Sequence, residues 1–194
     1  MDQKLRIVVI DKNPLRAAIL EAGLYEAGHS DVVRVDDTAD VLDRIRAIDP
    51  DVILIDLESP SRDVLEQMFQ VSRVVARPVA MFVDHSDTAM INAAIDAGVS
   101  AYIVDGLRKE RIKPILDTTI SRFNAFAKLK DELERTKSLL EDRKIIDRAK
   151  SLVMRAKGIS EDEAYAMMRK AAMNENKKLV DIARSIVTAA ELLR

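Results

Sequence analysis

Five short apolar runs, each followed by a longer amphipathic stretch, constrain the first half of this chain more than any other feature. They read Leu5-Arg6-Ile7-Val8-Val9-Ile10, Asp31-Val32-Val33-Arg34-Val35, Asp51-Val52-Ile53-Leu54-Ile55-Asp56, Pro78-Val79-Ala80-Met81-Phe82-Val83 and Ala101-Tyr102-Ile103-Val104. Uninterrupted β-branched and apolar residues suit strands buried on both faces, and alternation with helical patterns implies crossover connections and a parallel sheet. The helical stretches carry their own punctuation. Asn13-Pro14 opens a pattern through Leu24 and Ala27 that Gly28 closes. Thr38 caps one with Val41, Leu42, Ile45 and Ile48. A third centres on Val64, Leu65, Met68 and Val71, and a fourth runs from about Asp87 to Ala97 before Gly98. The fold class is therefore an α/β, flavodoxin-like domain with a five-stranded parallel sheet.

After Gly106 no strand signal returns. The stretch 108–157 holds one proline, Pro114, and no glycine. If Pro114 sits in the first turn, the whole stretch can be one helix, on the order of 75 Å long at 1.5 Å per residue. A helix of that length needs a partner along it. Phe126, Leu129, Leu133, Thr136 and Leu140 recur at spacings of three and four, a short coiled-coil seam flanked by Lys128, Glu132 and Arg135. Either a second copy or the chain's own first domain could cover it; a homodimer is the favoured reading. Gly158 should end the helix in a left-handed residue. Ser160 and Glu163 then form a capping box. A helix with Ala164, Met167, Met168, Ala171 and Ala172 follows, then a break at Asn174 and Asn176. The last helix carries Leu179, Ile182, Ala183, Ile186, Val187 and Leu192. The end of the long helix and these two make an all-α three-helix bundle. The division expected is 1–106, a linker over 107–140, and 141–194.

Charge separates the same halves. Residues 1–106 hold 10 Lys/Arg against 19 Asp/Glu, a net of −9; residues 107–194 hold 21 against 14, a net of +7. A basic second half admits a nucleic-acid partner. The chain has no cysteine, which excludes disulfides and thiolate metal sites, and only His29 and His85 offer imidazole. The polar Met1-Asp2-Gln3-Lys4 start is no secretion signal, and no apolar run has membrane-spanning length. A cytoplasmic, membrane-free protein is expected.

Ligand chemistry in an open parallel sheet sits at the carboxyl ends of the strands. Asp11, Asp56, Asp84 and Asp105 lie there. With these acids, residues 4–126 resemble the receiver domain of two-component response regulators. The resemblance implies that Asp56 is the phospho-acceptor equivalent and Asp11 the first of two acids that hold Mg²⁺. Three positions depart from the pattern: Lys12 replaces the second acid, Val83 the hydroxyl residue after the fourth strand, and Asp105 the lysine after the fifth. Mg²⁺ demands a near-octahedral set of oxygens, and an ammonium at one ligand position repels it. Val83 cannot donate to a phosphoryl oxygen. The acidic pocket Asp11, Lys12, Asp105 is thus expected to be held by an internal salt bridge, with Lys12 neutralising Asp56 and Asp105. No cofactor, metal site or catalytic residue is expected, and Mg²⁺ is disfavoured.

The second half resembles the ANTAR domain, an RNA-binding antitermination module, over about 134–192. The matching text is Ile146-Asp147-Arg148-Ala149-Lys150-Ser151-Leu152-Val153-Met154, Lys157-Gly158-Ile159-Ser160, Glu163-Ala164-Tyr165, Met168-Arg169-Lys170-Ala171-Ala172-Met173 and Leu179-Val180-Asp181-Ile182-Ala183. The whole chain, including Leu57-Glu58-Ser59-Pro60-Ser61-Arg62-Asp63, is similar to the nitrate/nitrite-regulation antiterminators of the NasT type. That resemblance implies binding of paired hairpins in nascent leader RNA and control by a nitrate/nitrite sensor protein as partner. Lys150, Arg155, Lys157, Arg169 and Lys170 are the expected RNA contacts, offering cations to phosphate and arginine planes to loop bases. Tyr165 and the methionines Met154, Met167, Met168 and Met173 read as core. Phe126, Leu129, Leu133 and Leu140 are the expected dimerisation residues. The alternative is a phosphorylation-dependent regulator, using Asp56, that binds RNA or DNA. A hydrolase built on the acidic pocket lacks a nucleophile–base pair.

Overall fold

The computed structural model describes residues 5–37, 40–58 and 61–192. Thr38, expected as a cap, lies outside them, as do Ser59 and Pro60. Five strands alternate with helices in the order β1 (Arg6–Ile10), α1 (Pro14–Glu26), β2 (Asp31–Val35), α2 (Val41–Ile48), β3 (Val52–Leu57), α3 (Arg62–Val74), β4 (Val79–Val83), α4 (Thr88–Asp96) and β5 (Ala101–Val104). Three helices follow: α5 (Lys109–Lys157), α6 (Glu161–Asn174) and α7 (Leu179–Leu192). The chain divides into two compact units, 1–127 and 128–194, the division falling inside α5.

In the first unit the strands form one parallel sheet in the order β2-β1-β3-β4-β5. Because side chains alternate along a strand, each apolar run feeds two cores. Val8, Ile10, Ile53, Ile55, Met81 and Val83 face a core completed by Val41 and Ile45 of α2, Leu65, Met68, Phe69 and Val71 of α3, and Ala94 of α4. Ile7, Val9, Val52, Leu54, Ala80 and Phe82 face the other, closed by Leu20 and Leu24 of α1 and by Ile112 and Leu116 of α5. The first turns of the long helix are therefore receiver core, and the first domain reaches beyond residue 106. The sequence boundary fell too early because Gly106 ends the strand pattern, not the domain.

α1 and α5 approach closely at Gly23. A Cβ there would lie 2.6 Å from Ile112 Cγ1 and 2.9 Å from the Lys109 carbonyl oxygen, so only glycine fits without a shift. Pro114 is the sixth residue of α5, in its second turn and not its first. Its ring removes one backbone donor, as proline must.

The second unit is the three-helix bundle expected. Ala149, Met168 and Ala183 form its centre, with Ile145, Ile146, Val153, Leu179, Ile186 and Val187 around them. Small residues at the centre let the helices approach. Gly158 has φ +64° and ends α5, its N–H donating to the Met154 carbonyl at 2.8 Å. The Ser160–Glu163 capping box is complete in both directions. Asn176 turns the chain at φ +52° between α6 and α7. The methionines divide: Met168 is buried, whereas Met167 and Met173 are exposed.

Candidate functional site

The carboxyl edge of the sheet gathers acids because four strand ends open on one side. Asp11 follows β1 directly and is 3% exposed; Asp56, the fifth residue of β3, is 2% exposed. Two buried carboxylates side by side need a cation. It comes from α1. Asn13 caps that helix by accepting from the backbone N–H groups of Leu15 and Arg16, and also donates to Glu58. This start places Arg16 in the first turn, above the strand ends. Arg16 Nε donates to Asp56 Oδ2 at 2.6 Å and Nη2 to Asp56 Oδ1 at 2.7 Å, a bidentate fork. Arg16 Nη1 donates to Asp84 Oδ1 at 2.8 Å. Hydrogen bonding to Asp56 raises the Arg16 pKa further above its ordinary value, with Asp84 adding to the effect.

Asp11 is the odd member. Its Oδ1 accepts from the Asn13 backbone N–H at 2.7 Å, but its buried Oδ2 has no partner. Burial pushes the Asp11 carboxyl up to about 6, against the opposing pull of the Asn13 N–H; the charge of Asp56 pushes it further up and that of Arg16 draws it down.

The internal salt bridge thus exists with a different cation from the one expected. Lys12 is exposed and makes no ion pair among the described residues. Asp105 is exposed at φ +47°, its N–H donating to the Val83 carbonyl at 2.9 Å. Val83 is 1% exposed and belongs to the core. Arg16 escaped sequence reasoning, yet a signal was present. A cation in a first helical turn opposes the helix dipole, and α1 has no acid in that turn. Such a residue implies an anion outside its own helix.

The receiver fold implies a divalent cation beside Asp11 and Asp56, and the residues present do not fit one. Both Asp56 oxygens already accept from Arg16, and the second acid position holds Lys12, which offers no carboxylate ligand. No group of three or more His, Cys, Asp and Glu side chains among the described residues is arranged to hold a metal.

In the second unit the expected RNA residues separate into two kinds. Arg155, Lys157, Arg169 and Lys170 are exposed and make no ion pair among the described residues. Lys150 is enclosed: its Nζ lies 2.7 Å from Asp147 Oδ1 and 2.6 Å from Glu161 Oε1, and its side chain is 16% exposed. Those two carboxylates, Asp147 first, raise its pKa, and the residue ties α5 to the start of α6. Tyr165 is 42% exposed on α6, one turn before Arg169, and not in the core. On α5, Phe126, Leu129, Leu133 and Leu140 are all more than half exposed, and Leu139 is exposed beside them.

A five-stranded parallel sheet of this order, with buried aspartates at the ends of β1 and β3, defines a receiver-class signalling domain. Comparison with known families agrees: the response regulator receiver domain matches residues 7–117 and the ANTAR domain residues 134–187. This chain belongs to the receiver-domain response regulators, and to those that carry an ANTAR domain after the receiver. The transcriptional regulatory protein PdtaR of Mycobacterium tuberculosis is 24% identical over 182 residues, 94% of this chain and 89% of PdtaR. The nitrate regulatory protein of Klebsiella oxytoca is 35% identical over 82 residues, 42% of this chain and 21% of that protein. A CheY-like receiver domain protein from Methanospirillum hungatei superposes with a TM-score of 0.55 at 14% identity, covering 63% of this chain and 98% of that one. That likeness shows the fold. No helix among the described residues is long and apolar enough to cross a membrane.

Proposed function

We propose that this chain is a transcription antiterminator. Its ANTAR bundle binds paired hairpins in a nascent leader RNA, and a partner sensor protein acting on the degenerate receiver decides when it does so. The observation that carries the reading is the ANTAR match over 134–187 with four uncompensated cations, Arg155, Lys157, Arg169 and Lys170, on its exposed surface. Uncommitted guanidinium and ammonium groups suit phosphate, and Tyr165 with Arg169 one turn on suits stacking against unpaired loop bases. Lys150 is already paired with Asp147 and Glu161 and leaves the contact set to the other four. The Klebsiella oxytoca relative is a nitrate regulatory protein, which supports a link to nitrate. Nitrate/nitrite assimilation genes as the target and a nitrate/nitrite sensor as the partner belong to the same proposal. Work on nascent transcripts places the chain in the cytoplasm. The exposed stripe Phe126, Leu129, Leu133 and Leu140 supports a homodimer that presents two bundles to two hairpins.

Equilibrium binding of the full chain to a hairpin leader RNA and to duplex DNA, across a salt series, tests the reading. Hairpin RNA should bind more tightly. Each lost phosphate contact, as in Lys157→Ala, should flatten the salt slope by about 0.7. Tighter binding to duplex DNA, or no salt dependence, would refute it.

A further inference from the structure

We propose that Arg16 is the resident cation of the receiver pocket, held in place of a divalent ion, and that removing it makes the pocket responsive to divalent cations. The inference rests on the receiver fold alone, so it stands or falls separately from RNA binding.

The geometry leaves no place for a metal while Arg16 is present. The guanidinium spans both oxygens of Asp56 and one of Asp84, and Glu58 lies 4.0 Å from its Nε. A planar fork of fixed donors fits a carboxylate pair better than a hydrated ion does, and it cannot lose its proton. The arrangement is built into the fold. Asp56 is fixed by strand β3, Arg16 by the Asn13 cap, and Asn13 also hydrogen-bonds Glu58, so cap, acid and cation form one connected set. The side chain of Asp56 is fully buried and that of Arg16 is 16% exposed, so the pair is shielded from competing ions. Taking the guanidinium away leaves Asp56 and Asp84 without a counter-charge, beside the unpartnered Oδ2 of Asp11. No three acids are arranged to hold a metal among the described residues, but Mg²⁺ and Mn²⁺ need only one or two carboxylates when water completes the shell, and the freed Asp56 and Asp84 supply them. Lys12, exposed and without an ion pair among the described residues, does not supply the missing charge.

Titration of the full chain with Mn²⁺, with free ion counted by electron paramagnetic resonance, tests this directly. The wild-type chain should show no site that depends on Asp56. Arg16→Ala should gain one at least about tenfold tighter than any weak binding by wild type, and Arg16→Ala combined with Asp56→Asn should lose it. Arg16→Gln, closer in volume, repeats the test should the alanine variant unfold. An Asp56-dependent Mn²⁺ site in the wild-type chain would overturn the proposal. So would a folded Arg16 variant with no gain over wild type.

Discussion

At the scale of single residues, the receiver pocket stores a conflict that pH can read. Asp11 is buried with one oxygen unsatisfied, and its carboxyl is pushed up to about 6. A carboxyl whose folded pKa lies above its unfolded value binds protons more strongly in the folded state. Its contribution to stability is fully present below about pH 4 and is lost as pH rises through about 6. Asp11→Asn keeps an oxygen for the Asn13 N–H but never ionises. Its stability relative to wild type should therefore rise between pH 4 and pH 7, by about 1–3 kcal/mol in urea unfolding. A difference independent of pH would show that Asp11 is not strained by its charge. Much at this scale was legible in the sequence: Gly158 as a helix stop, Ser160 with Glu163 as a cap, and Asp56 at a strand end all depend on local rules. Arg16 was not, because its partners lie 40 and 68 residues away and only the folded sheet brings them together. Tyr165, Met167 and Met173 were misassigned to the core for a related reason. Helical spacing gives a face, but not which face the bundle buries.

At the scale of elements, α1 and α5 are locked where Gly23 meets Ile112. α1 carries Arg16 near its start and packs Leu20 and Leu24 against the same core as Ile112 and Leu116. The helix that holds the pocket cation therefore rests on the helix that leaves the receiver. Gly23→Ala separates two effects of opposite sign. Helix propensity alone would stabilise by about 1 kcal/mol, whereas a Cβ forced against Ile112 costs about 1–3 kcal/mol. The contact should win, and chemical denaturation should show a net loss; a gain would mean that the two helices yield at this point. The long helix was readable from a lack of glycine over 108–157. The role of its first turns was not, since Ile112, Ile115 and Leu116 resemble any amphipathic stretch until the sheet is present to receive them.

At the scale of the whole molecule, charge and exposure divide the labour. The acidic first half binds its own cation, and in the basic second half Arg155, Lys157, Arg169 and Lys170 are exposed with no ion pair among the described residues. Fold order and domain content followed from the sequence because strand runs, cap signals and the Ile146–Met154 and Met168–Met173 text are local. How two bundles would be presented together did not, because a seam shows only that a partner is needed. If a homodimer presents them, linked binding of two hairpins should exceed single-hairpin affinity by about 10²–10⁴ with no new contact. The decisive measurement compares the full chain and Leu133→Lys on a leader RNA with two hairpins and on one with a single hairpin, at several salt concentrations. Wild type should favour the paired ligand by at least about a hundredfold, with affinity falling as salt rises, and Leu133→Lys should bind both ligands alike. Equal wild-type affinity for one and two hairpins, or the absence of any salt-sensitive hairpin binding, would contradict the account.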